Sequence, residues 1–125
     1  MRQIEFKKPE RHEKAWGYED WICNYEEFGY CGKILHFKKD SKFSMHFHKY
    51  KHETWFVLNG KLTLFYIDPS NAQQHNRSLI PGDVIVIPEC CPHQLIATSE
   101  ADVLEFSTLH LEHDSYRVAK GDSQF

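Results

Sequence analysis

Hydrophobic and polar residues alternate with a period of two along most of this chain, in short runs. The runs at 17–25, 30–38, 42–48, 53–58, 61–67, 83–87, 93–97 and 103–107 are rich in Phe, Tyr, Trp, Val, Ile and Thr and predict eight strands. No stretch with a 3.6-residue period is long enough to predict a helix. Turn residues separate the runs. Asn59-Gly60, between two apolar runs, predicts a tight hairpin; Asp68-Pro69-Ser70-Asn71 ends one strand and Pro81-Gly82-Asp83 precedes another. Residues 71–78 are polar and predict a solvated loop containing His75. So many short strands predict an all-β, antiparallel, closed or sandwiched barrel with a core at 16–107. The polar ends, 1–15 and 108–125, predict arms that fray or lie across a partner.

Composition narrows the function classes. With 125 residues the chain has room for one domain, and 41% hydrophobic and 14% aromatic residues are enough for a core. A net charge of -3 argues against a nucleic-acid surface, and no apolar run reaches the roughly 18–20 residues of a membrane span. Residues 1–14 lack the apolar segment of a secretory leader, which predicts a cytoplasmic protein with its four cysteines reduced. No pair of them has C-x2-C spacing, which argues against a zinc knuckle; the neighbours Cys90 and Cys91 read as small buried thiols.

The nine histidines carry the chemical signal. In His46-Phe47-His48 the strand alternation puts both imidazoles on one face. After the short loop 49–52 the next run opens with Glu53, and an antiparallel return would bring it beside them. His93 opens a further strand after the turn 88–92. Three imidazoles and a carboxylate make a coherent site for one divalent transition metal (Zn, Mn, Fe, Ni or Co), with coordination positions left for substrate or water. Trp55, two residues after Glu53, shares its face and either stacks on a sugar or fills the core. Glu105 lies in the last apolar run, facing solvent or, as favoured here, lying inside the barrel as a proton-transfer group. Lys33 and Lys42 read as solvated, as does His52. His36 could line the mouth or face solvent, and His110 and His113 lie past the last predicted strand.

The run from His46 to Gly60 reads H-x-H-x4-E-x6-G, and that from Gly82 to His93 reads G-x5-P-x4-H. These resemble the two signature motifs of the cupin superfamily. The resemblance implies a double-stranded β-helix, or jelly roll, holding a metal on His46, His48, Glu53 and His93. The sequence departs from the pattern where Cys90 replaces the usual glycine and Ala97 the usual asparagine. Trp16-Gly17-Tyr18-Glu19 and the histidine-rich first motif resemble the mannose-6-phosphate isomerase-like cupins, although the loop 49–52 is longer than theirs. That finer resemblance implies an isomerase or epimerase of a small sugar or sugar phosphate, while the superfamily resemblance implies a homodimer made by sheet edges and exchanged arms. The alternatives are a non-catalytic sugar-binding module, an Fe(II) oxygenase, and a dimethylsulfoniopropionate lyase, which Trp55 disfavours because it stands where those enzymes carry a tyrosine base.

Overall fold

A computed structural model describes residues 1–124, which form eleven strands and one short 3-10 turn, 122–124. The strands are β1 (Glu10–Lys14), β2 (Gly17–Tyr25), β3 (Tyr30–Phe37), β4 (Met45–Phe47), β5 (Glu53–Asn59), β6 (Leu62–Ile67), β7 (Gln74–Leu79), β8 (Val84–Ile87), β9 (His93–Ala97), β10 (Ala101–Thr108) and β11 (Tyr116–Ala119). They pair antiparallel in two sheets, ordered β1-β2-β3-β10-β5-β8 and β11-β4-β9-β6-β7. The two sheets pack face to face as a jelly roll, the all-β barrel that the alternating pattern predicts. No helix among the described residues is long and apolar enough to cross a membrane.

Alternation sets what lies between the sheets. The buried stripes are Phe37, Leu35 and Lys33 on β3; Ala101, Val103 and Glu105 on β10; Val57, Trp55 and Glu53 on β5; and Ala97, Leu95 and His93 on β9. Each stripe is apolar at one end and charged or imidazole-bearing at the other. The register stacks these ends together: Glu105 lies opposite Lys33 and Trp55, and His46 opposite His93. The apolar ends belong to one cluster with Trp16, Phe43, Leu62, Leu64, Leu79 and Ile87, where burial supplies the folding drive. The other end is left polar.

Several expectations are corrected. The Asn59-Gly60 turn closes no hairpin, because β5 and β6 belong to different sheets. The turn is a corner between sheets, and Gly60 (φ 80°) is needed there because a Cβ would lie 2.3 Å from the Glu100 carbonyl oxygen. The two motif strands likewise do not form a hairpin, since β4 and β5 lie in opposite sheets. The strand expected at 42–48 shrinks to β4, with Lys42 half-buried and making an isolated bridge to Ile96. The polar loop expected at 71–78 contains β7, an edge strand exposed at every residue but Leu79, so its backbone pairing with β6 leaves no hydrophobic alternation to see. The terminal arms also fold onto their own chain: β1 pairs with β2, and β11 pairs with β4.

Candidate metal centre

The charged end of the barrel opens into a cavity of about 350 Å³. At its base the ligating atoms of His46, His48 and His93 lie within 4.8 Å of one another. Each ring has its Nδ1 matched to a backbone carbonyl: His46 to Ser44 (2.7 Å), His93 to Cys91 (2.9 Å) and His48 to Asp114 (2.5 Å). A carbonyl only accepts, so each Nδ1 carries the proton and each Nε2 is left with a lone pair. Burial, and then the neighbouring imidazoles, push His46 well below the ordinary imidazole range. Burial takes His93 down to about 4, although its hydrogen bond to Cys91 opposes the shift. His46 and His93 are therefore neutral at physiological pH.

Glu53 approaches from the facing sheet. Its Oε2 lies 3.6 Å from His48 Nε2 and 3.5 Å from His93 Nε2, and it is buried with no hydrogen-bond partner. Burial alone would raise its pKa, but Lys51 and then His48 outweigh this and hold it below the usual carboxylate value. An orphaned, ionised oxygen aimed at imidazole lone pairs suits a divalent cation, and the donor set suits a first-row transition ion.

Above this base lies a buried charge network. Lys51, only 3% exposed, places its Nζ 2.8 Å from Glu105 Oε2, 3.5 Å from Glu53 Oε1 and 3.4 Å from His110 Nδ1. Burial works against its charge, yet the two carboxylates hold its pKa above the ordinary lysine value. Lys33 pairs with Glu19 at 3.4 Å and sits 4.3 Å over the Trp21 ring. Burial would raise the Glu19 pKa, but Lys33 and the Trp21 N–H hold it down. His110 is driven down to about 3, first by burial and then by the two lysines.

Of the residues singled out from sequence, the structure brings His46, His48, Glu53 and His93 to one end of the barrel. Glu105 is inside and ion-paired. Trp55 is 1% exposed, with its ring against His93 and Phe43, so it has no free face for stacking; its Nε1–H is buried without a partner. Lys33, expected in solvent, is buried because it continues the inward stripe of Phe37 and Leu35. Cys90, expected to be buried, is exposed; Cys91 is half-buried. Cys90 takes φ 62°, the left-handed conformation that a glycine adopts freely, so the turn survives the replacement of the usual glycine. His36 is half-buried in a surface network with Asp102 and Glu100 and does not line this cavity, whereas His110 does. His52 is half-buried, its backbone N–H donating to Thr108, while His75 and His113 are exposed.

Lys51, Glu19 and Asp114 were not anticipated. Lys51 and Asp114 lie outside any strand, where alternation carries no information. Glu19 sits in a strand whose residues are mostly half-buried on both faces, which blurs the pattern.

A jelly roll with an imidazole trio at one end that could hold a metal ion marks a class of barrel proteins, and comparison gives the family. The family described as Cupin matches residues 27–123, and the chain belongs to it. No curated protein matches. Among solved structures, the chain is similar to a variant of Bacillus subtilis oxalate decarboxylase at 15% identity and a TM-score of 0.77, over 94% of this chain and 34% of that one. It is also similar to CapF, a capsular polysaccharide assembling protein of Staphylococcus aureus, at 14% identity and a TM-score of 0.76, over 89% of this chain and 34% of that one. A further oxalate decarboxylase structure concerns that enzyme's Mn(II) centres; there the identity is 15%, the TM-score 0.77, and the coverage 94% and 34%. The chain spans about a third of each of these structures, and the likeness shows the fold.

Proposed function

We propose that this chain is a metal-dependent isomerase or epimerase of a small sugar or sugar phosphate, its metal held by His46, His48, Glu53 and His93. The observation that carries the reading is the cavity wall beside the imidazoles. Glu105–Lys51 and Glu19–Lys33 set acceptors and donors side by side at 2.8 and 3.4 Å on the wall of a cavity of about 350 Å³. Such alternation matches the hydroxyls of a polyol, and the volume suits one small ligand. A bound Zn, Mn, Fe, Ni or Co ion supplies Lewis-acid polarisation of a substrate oxygen, which acidifies the neighbouring C–H. Glu105 takes that proton and returns it to the adjacent carbon, with Lys51 and the Ser107 hydroxyl holding its carboxylate in place. The active form is a homodimer, with Val84, Val86 and Phe106, exposed on one sheet, as the apolar contact.

The test is interconversion of aldoses and ketoses, with and without phosphate, by metal-loaded protein in heavy water. Deuterium enters the product at the isomerised carbon, and Glu105→Gln lowers turnover by about 10²–10⁴-fold. Unchanged turnover removes Glu105 from the chemistry. A second reading, a non-catalytic sugar-binding module, is favoured by one observation: the Glu105 carboxylate is already occupied, with Lys51 Nζ 2.8 Å from its Oε2. Sugar-induced thermal stabilisation without interconversion selects that reading.

A further inference from the structure

The three imidazoles are held in different ways. His46 and His93 each donate to a carbonyl two residues earlier, on Ser44 and Cys91, so their local strands set the rings. His48 lies beyond the end of β4, and its carbonyl partner is 66 residues away, on Asp114. The same residue gathers the following loop. The Asp114 carboxylate accepts the backbone N–H of Lys49 at 2.7 Å, of Tyr50 at 3.2 and 3.3 Å, and of Lys51 at 3.1 Å. Asp114 is itself 1% exposed, and among the described residues no lysine, arginine or histidine forms an ion pair with it. A carboxylate is costly to bury without a cation. Here the charge is met by three convergent N–H groups, and these belong to the segment that joins His48 to Glu53.

We propose that Asp114 is a positioning residue that makes metal retention depend on the docked C-terminal segment, although its side chain never reaches the metal. The inference rests on the imidazole trio being a metal site. Its carboxylate fixes the loop 49–51, its carbonyl fixes the His48 ring with Nε2 free, and the chain just beyond it becomes β11 against β4. Coupling of this kind is reciprocal: what the segment contributes to metal affinity, the metal returns to the docking of the segment.

The test uses the full chain with Co(II) as probe. Affinity is read from the visible spectrum in competition with a chelator, and docking from hydrogen exchange at Tyr116–Ala119. Asp114→Ala is expected to weaken Co(II) binding about 10–100-fold, the usual effect of losing a residue that orients a ligand. Asp114→Asn, which keeps one accepting oxygen, should lose less and serves if the alanine variant does not fold. Leu79→Ala, at the apolar end, should lower stability with Co(II) affinity unchanged. In the wild-type chain Co(II) should slow exchange in β11. The inference is overturned if both Asp114 variants bind Co(II) like wild type, if Leu79→Ala loses affinity by the same factor, or if Co(II) leaves β11 exchange unchanged. A wild-type chain that takes up no Co(II) overturns the metal reading and this inference together, a result distinct from the other three.

Discussion

Replacing Lys51 with methionine keeps most of the side chain's apolar volume and removes the ammonium that faces Glu105 at 2.8 Å and Glu53 at 3.5 Å. Both carboxylates are buried, so neither can recover water as a partner. Breaking a buried ion pair from one side costs about 3–5 kcal/mol, and the presence of two carboxylates places Lys51→Met toward the upper end. At this chain length that corresponds to a fall of about 10–20 °C in the metal-free melting temperature. Adding Glu105→Gln should return part of the loss, because only Glu53 then remains uncompensated. A divalent ion should return more, since Glu53, whose Oε2 lacks a partner, would be one of the residues holding it, and its effect should grow with the logarithm of its concentration. Calorimetry of the three proteins with chelator, and then with Co(II), reads all of this. The reasoning fails if metal-free Lys51→Met melts within about 3 °C of wild type, or if the double variant is no more stable than the single one.

Acid should loosen the metal-free fold through its buried imidazoles. His93 is neutral in the folded state with its pKa lowered to about 4, so between pH 6.5 and 4 the unfolded chain binds a proton that the folded chain refuses. The contribution is complete above pH 6.5 and is lost as pH falls; His93 alone removes about 2 kcal/mol by pH 5, and His46 acts in the same direction. Equal urea midpoints at pH 7.5 and 5, at constant slope, would sink this account. Cys90→Gly should stabilise the protein by about 1 kcal/mol, because glycine occupies φ 62° without strain. A fall in urea midpoint would show instead that the thiol makes a contact worth more than the strain.

The barrel was legible because alternation with period two is strong wherever one face is buried. Strands β2 and β9 match the expected runs to the residue, since both begin beside turn residues. Strands β1, β7 and β11 were invisible for the opposite reason: at the edges nearly every side chain is solvated, and only backbone bonds mark them as strands. His46, His48, Glu53 and His93 could be grouped by spacing, yet their route together was misread. A hairpin was expected where the chain crosses between sheets, and an NG corner has the same local composition as an NG hairpin. Lys33 could have been placed by following Phe37 and Leu35 along their stripe. Lys51 and Asp114 could not, because loop positions 49–51 meet residue 114 only through tertiary contact.

The gradient along the inward stripes, from Phe37, Val57, Ala97 and Ala101 up to Lys33, Glu53, His93 and Glu105, constrains how such a chain can drift. The lower layer tolerates one-at-a-time changes of similar bulk. The upper layer is a set of mutually balanced charges, so an isolated exchange there leaves an opposite charge buried without its partner. Divergence toward a new ligand would then proceed by compensated swaps, or by single swaps made while a bound cation shoulders the imbalance.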